Sequence, residues 1–305
     1  MNSSELNVEK AVDGRYSAAS KEMEPELCCP VNYDDQWLQV LPEELIRRDY
    51  GCGDPARHLV AGDHVLDLGS GGGKICYIAS QVVGPQGHVT GVDVNDDMLT
   101  LARQYQGEIA QRIGWDNVAF HKGRIQDLQL DLEQMESYLQ QAPANDANSW
   151  QDAQQHADQL RRQSPMIATN TMDVVVSNCV LNLVKHEDRL ALFDEIYRVL
   201  KPGGRAVISD IVCDTPVPQH LQDDPTLWSG CISGAFEQTA FLTAFSNAGF
   251  LALEILERQA EPWKIVEGIG FRSLTLRAWK EIPGQSSADP SLPVSPCCEP
   301  SSDCC

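Results

Sequence analysis

Positive charge is scarce in this chain of 305 residues: 23 Lys and Arg stand against 44 Asp and Glu, a formal net charge of −21. Nucleic-acid backbones and anionic lipid surfaces both recruit clustered Lys and Arg, so neither is expected as a partner. Long apolar runs are missing too, and none approaches the roughly 20 residues of a membrane span. The opening Met1-Asn2-Ser3-Ser4-Glu5-Leu6 has neither a basic region nor an apolar stretch. No signal peptide is therefore expected, and the cytoplasm is the expected compartment. Eleven cysteines would be mostly reduced there, so they call for a chemical role rather than a disulfide framework. No C-x-x-C pair occurs among them. A hydrophobic content of 42% supports a real core, in one large domain or two smaller ones.

What is present centres on residues 64–93. His64-Val65-Leu66-Asp67-Leu68 reads as a short buried parallel strand, and Gly69-Ser70-Gly71-Gly72-Gly73 turns it into a helix. Ile75, Ile78, Ala79, Val82 and Val83 give that helix one apolar stripe, and Gly84-Pro85 stops it. A second strand, His88 to Val92, ends in Asp93. Strand, glycine turn, helix, strand and terminal carboxylate open a nucleotide-binding α/β sheet. A dinucleotide fingerprint is absent: its third glycine would fall on Lys74 or Cys76. The D-x-G-x-G-x-G that stands here resembles the first motif of class I S-adenosylmethionine-dependent methyltransferases. Asp67, Gly69, Ser70, Gly71 and Gly73 are candidates for that cofactor's amino-acid end, and Asp93 for its ribose hydroxyls.

The remaining elements extend the sheet. Residues 1–60 read as a polar lead-in, with Leu27-Cys28-Cys29-Pro30 and a turn at Asp49-Tyr50-Gly51-Cys52-Gly53-Asp54-Pro55 that can wrap over the sheet. Asn95 is expected to cap a helix through Ala102, and Val118 to His121 to form strand three. Residues 131–171 look like a helical insertion on the surface. Met172 to Val176 is strand four, and Arg205 to Asp210 strand five. Residues 216–234 read as irregular, and strands near 251–256 and 271–279 complete a Rossmann-like, doubly wound, seven-stranded, mostly parallel sheet. The methyltransferase domain is expected over 61–281, with a substrate-side segment and the last strands in 211–281. The Ser-, Pro- and Cys-rich tail 282–305 is expected to be disordered.

Open α/β sheets bind ligands beyond the carboxyl ends of their strands. Cys179 follows strand four, Cys76 lies in the first turn after the glycines, and Cys231 lies in the segment after strand five. All three are expected around one crevice, with the helix N-terminus favouring the Cys76 thiolate.

At these residues the chain resembles the arsenite S-adenosylmethionine methyltransferase family. The resemblance rests on Asp67 to Gly73 with Cys76-Tyr77, on Gly91-Val92-Asp93, on Ser177-Asn178-Cys179-Val180 with Asn182-Leu183, and on Gly230 to Ala235. Tyr50 to Pro55 is similar to the family's glycine-cysteine-glycine turn. The resemblance implies that Cys76, Cys179 and Cys231 hold trivalent arsenic. It also implies that Cys28 or Cys29 serves a disulfide relay with Cys76, and that Ile125 and Asn178 join the cofactor set. The substrate would be arsenite or an arsenite–thiol conjugate, and an external thiol reductant of thioredoxin or glutathione type would reset the relay.

The chemistry agrees with that resemblance. Three thiolates around soft trivalent arsenic leave a lone pair, itself the nucleophile toward the sulfonium methyl group, and no general base is required. Catalysis is then mostly alignment, with reacting atoms roughly 3–3.5 Å apart. Two other readings stay open. A methyltransferase for a small organic acceptor (a quinone precursor or a thiol) would turn over without arsenic. A non-enzymatic binder of metalloid or zinc would lack the cofactor, but zinc wants four ligands and the sequence completes no such set.

Overall fold

The computed structural model describes residues 8–24, 27, 31–48 and 50–283. Nine strands form one sheet: β1 (His64–Leu68), β2 (His88–Asp93), β3 (Val118–Lys122), β4 (Met172–Asn178), β5 (Leu200–Cys213), β6 (Phe236–Glu237), β7 (Leu251–Arg258), β8 (Lys264–Val266) and β9 (Ile269–Trp279). The order is β3-β2-β1-β4-β5-β9-β7, with β6 added to β5 and β8 to β9. The main path has the seven expected strands; β6 and β8 are two short additions. β1 pairs in parallel with β2 and β4, while β9 runs antiparallel between β5 and β7. The strand order therefore reverses at β1 and β4, where an α/β sheet opens its ligand crevice.

The continuous apolar runs of the central strands follow from burial on both faces. Leu66, Leu68, Val175 and Ile208 pack with Leu192 and Ile196 of the helix Arg189–Val199 on one side. Val65, Val174, Val176 and Val207 pack with Ile78 of the helix Lys74–Val83 on the other. Alternate residues face alternate layers, as a pleated strand requires. Asn95 caps the helix Asp96–Gln104 by accepting from Met98 N.

Two regions differ from expectation. Residues 8–19 of the lead-in form a helix, and Tyr50, Cys52, Asp54, Ala56 and Leu59 of the same region are buried. The segment after β5 is not irregular throughout, because Gln219–Gln222 and Pro225–Ser229 are short helices, the second capped by Asp224. Residues 131–171 hold the helices Leu132–Gln141 and Ala147–Gln163, seated on Leu130 by Ala157 and Leu160. No helix among the described residues is long and apolar enough to cross a membrane. Cys28, Cys29 and the tail beyond Pro283 lie outside the described residues.

Candidate active site

The glycine turn must pass under the loop that follows β4. Gly69 has φ +69°, and a Cβ there would lie 2.6 Å from Val180 Cγ2, so glycine alone fits. Asp93, at the end of β2, accepts from Gly71 N at 2.8 Å through Oδ2 and from Asn95 N at 2.9 Å through Oδ1. Burial raises its carboxyl pKa against those bonds. A cavity of about 220 Å³ opens beside it, lined by Gly69, Gly71, Asp93 and Ile125. The helix Val8–Ala19 closes the far side with Glu9, Val12, Asp13 and Tyr16. A second cavity adjoins it and is lined by Asp67, Ser70, Asn178 and Cys179; Tyr16, Gly69, Gly71 and Val180 line both. Gly73 lines neither: it caps the helix Lys74–Val83 with φ +86°.

The donor set here fits an adenosyl cofactor with an amino-acid tail. Ser70 Oγ is buried with no hydrogen-bond partner among the described residues. A hydroxyl orphaned at a cavity wall is a group left for a ligand to satisfy.

Asn178 does more than line the crevice. Its Oδ1 accepts from Cys52 N at 2.9 Å and Gly53 N at 3.1 Å, while Nδ2 donates to Gly53 O at 2.8 Å and to Tyr33 Oη at 3.2 Å. The amide thus clamps the Gly51-Cys52-Gly53 turn onto the end of β4. A Cβ on Gly51 would lie 2.5 Å from Asn178 Cγ, and one on Gly53 2.5 Å from Ser209 Oγ. Both glycines are needed for the turn to dock, and docking delivers Cys52 into the protein.

The docked Cys52 meets Cys179. With Asp210, at the end segment of β5, their ligand atoms lie within 4.8 Å of one another, all buried. On its other side Cys179 accepts from Cys231 Sγ through its backbone O, at 3.3 Å. Tyr16 stands beside Cys231, so electrostatic contacts run from Tyr16 through Cys231 and Cys179 to Cys52. Cys179 and Cys231 both adopt left-handed backbones, φ +65° and +60°, which cost a non-glycine residue about 1–2 kcal/mol each. Such strain, held at two facing cysteines, marks a functional site.

The Cys179 and Cys231 thiols are held protonated. For Cys179, the Cys231 donor favours the anion, but the bond to Cys52 and burial outweigh it and the pKa stands well above its ordinary value. The Cys179 contact and burial push Cys231 up as well. Burial pushes Asp210 up to about 7 although Leu181 N, Asn182 Nδ2 and Ile211 N all donate to it.

Cys76 stands apart from this cluster, contrary to expectation. It is fully buried in the core layer of Ile78 and Val89, and its Sγ donates to Asp67 Oδ2 at 3.2 Å. Burial and then the Asp67 carboxylate raise its pKa well above normal, so the helix N-terminus does not make it a thiolate. The helix turns it behind the glycine loop, against Gly91, rather than into the crevice. Cys52, Asp210 and Tyr16 were not identified from the sequence. For Cys52 a signal existed, since two flanking glycines announce a close backbone approach; Tyr16 and Asp210 carry none.

A family model described as "Methyltransferase domain" matches residues 59–249. An arsenite methyltransferase of Aquipseudomonas alcaligenes is 33% identical over 251 residues, covering 81% of this chain and 62% of that protein. One from Halobacterium salinarum is 36% identical over 207 residues, covering 67% of this chain and 42% of that protein. The chain thus spans about half the length of the curated relatives it matches. A crystal structure of an arsenic(III) S-adenosylmethionine methyltransferase from Chlamydomonas reinhardtii is 28% identical with a TM-score of 0.65, covering 85% of this chain and 76% of that one.

Proposed function

Because the chain belongs to the S-adenosylmethionine-dependent methyltransferase family, we propose that it methylates trivalent arsenic held by Cys52, Cys179 and Cys231. The observation that carries this reading is the meeting of Cys52 and Cys231 at Cys179, with Cys52 and Cys179 Sγ within 4.8 Å and Cys231 Sγ 3.3 Å from Cys179 O, beside the glycine-loop cavity. Cys52 takes the place expected of Cys76. S-adenosylmethionine supplies a methyl group on a sulfonium sulfur. Asp93, Ile125, Ser70 and the glycine turn are the residues to hold that cofactor, with Asn178 fixing the turn that carries Cys52.

Protonated thiols suit the capture step. Arsenous acid and three thiols condense to an As(SR)₃ adduct and three waters, so no proton is released and no net charge enters the buried site. Arsenic keeps its lone pair as the nucleophile, and these residues need only hold it in line. The product arsenic is formally pentavalent; two thiols reduce it by forming a disulfide. Cys28 or Cys29, with an external reductant of thioredoxin or glutathione type, completes that cycle in a reducing cytoplasm.

The test is product speciation after incubation with arsenite, S-adenosylmethionine and thiol. Cys52→Ser, Cys179→Ser and Cys231→Ser are each expected to abolish methylated arsenic while cofactor binding persists. Cys76→Ser is expected to retain it. Loss with Cys76→Ser and retention with Cys52→Ser would return Cys76 to the arsenic set and refute this assignment.

A further inference from the structure

The geometry points to a second ligand for the thiol cluster: a thiophilic divalent cation of the zinc or cadmium class, held by Cys52, Cys179 and Cys231 with Asp210 as fourth ligand. The sequence offers no fourth ligand to such an ion, but folding supplies one. Cys52 Sγ, Cys179 Sγ and an Asp210 oxygen already lie within 4.8 Å of one another. Tetrahedral zinc with bonds of about 2.3 Å to sulfur sets its ligands about 3.8 Å apart, so closure needs movements of about an ångström or less. Cys231 Sγ donates to Cys179 O at 3.3 Å and would turn from that carbonyl toward the ion.

Asp210 retains the capacity to ligate. Its Oδ1 accepts from Asn182 Nδ2 at 2.8 Å and Ile211 N at 2.7 Å, which fills that oxygen. Among the described residues Oδ2 accepts only from Leu181 N, at 2.9 Å, which leaves it a lone pair for a ligand. These three bonds also orient the carboxylate, as outer partners do in metal sites. Part of the charge is offset nearby. Arg189 is buried without an ion-pair partner among the described residues, donating to Val184 O and Gly234 O, and it interacts electrostatically with Asp210. Such a guanidinium offsets the excess negative charge of three thiolates and a carboxylate around a divalent ion.

Arsenic and a cation make different demands on these four residues. Trivalent arsenic takes three sulfurs and keeps a lone pair, whereas the cation completes a tetrahedron and needs Asp210. Bound cation would occupy the same thiols, so inhibition competitive with arsenite follows wherever the arsenic reading holds.

The experiment uses the reduced full-length chain with Cys28, Cys29, Cys297, Cys298, Cys304 and Cys305 changed to Ser. It is titrated with Cd²⁺ alone and followed by the thiolate-to-metal charge-transfer band. One equivalent is expected, lost in Cys52→Ser and Cys179→Ser and kept in Cys213→Ser. Asp210→Asn is expected to weaken Cd²⁺ by at least about tenfold and to leave arsenite affinity within about threefold. X-ray absorption of the Cd²⁺-loaded chain, which needs no change at Asp210, is expected to show three sulfurs and one oxygen. Unchanged Cd²⁺ affinity in a folded Asp210→Asn, an all-sulfur shell, or no stoichiometric site would overturn the proposal. Cd²⁺ binding here, with no arsenite methylation by the unsubstituted chain, would instead refute the arsenic reading alone.

Discussion

The docking of Cys52 rests on the space that Gly51 leaves, and Gly51→Ala tests it. The added Cβ would overlap Asn178 Nδ2 and lie 2.5 Å from its Cγ, so the Asn178 amide must swing away. That movement breaks its bonds to Cys52 N, Gly53 N and Gly53 O, at 2.9, 3.1 and 2.8 Å. Each is worth about 1 kcal/mol net, more where a partner stays buried and unsatisfied, so the docked turn loses about 2–4 kcal/mol. At about 1.4 kcal/mol per decade, a three-thiol adduct that requires Cys52 should weaken by roughly 30- to 700-fold. The assay is arsenite affinity for reduced Gly51→Ala, Asn178→Ala and the double variant. Asn178→Ala alone should lose the same clamp. In the double variant the added methyl meets no amide, so its cost should match Asn178→Ala rather than the sum of the singles. Strict additivity would show that the clash is not the cause.

Two further outcomes follow from groups in the crevice. Ser70→Ala removes a buried hydroxyl without a partner, so melting of the ligand-free protein should change little, while calorimetric S-adenosylmethionine affinity falls about 5- to 10-fold; equal affinity would exclude Ser70 from the cofactor site. Asp210 has a folded pKa raised to about 7, so its contribution to stability is full below the unfolded value near 3.9 and is lost as pH rises through 7. Measured by melting at pH 5.5, 6.5 and 7.5, the unsubstituted protein should fall relative to Asp210→Asn with rising pH, and a constant gap would refute the shift.

The sheet was legible because each central strand is built on a short apolar run and its crossover helix carries an apolar stripe; both are local patterns. Glycine spacing and Asp93 were legible for the same reason. Cys179 and Cys231 could be placed by topology, since Cys179 follows β4 at the switch point and Cys231 lies in the segment after β5, the next strand of the same sheet. Cys76 could not be judged that way. It lies three residues past the glycines, but the helix phase turns its thiol behind the loop onto Asp67. Cys52 was half legible: its flanking glycines announce a close approach, but it precedes β1, and the clamp of Asn178, 126 residues later, is what holds it at β4. The amino-terminal helix gave little signal because only Val8 and Ala19 are buried, and polar contacts hold it, such as Asn95 Nδ2 to Asp13 Oδ1 at 2.8 Å and Arg15 to Thr226 O at 3.0 Å.

The cluster's burial and its chemistry impose one constraint on each other. A pocket of thiolates sealed in the core of a protein with net charge −21 would be costly, since each buried anion loses its hydration. Keeping the thiols neutral removes that cost, and a neutral As(SR)₃ adduct preserves the neutrality that a divalent cation would break. Arsenite capture should therefore vary little between pH 6 and 8, whereas a cation must displace the thiol protons and bind more tightly as pH rises. Cys179 and Cys231 both keep left-handed backbones at this cluster. The strain is kept because Asn178, Asp210 and Arg189 hold the three loops together on every side.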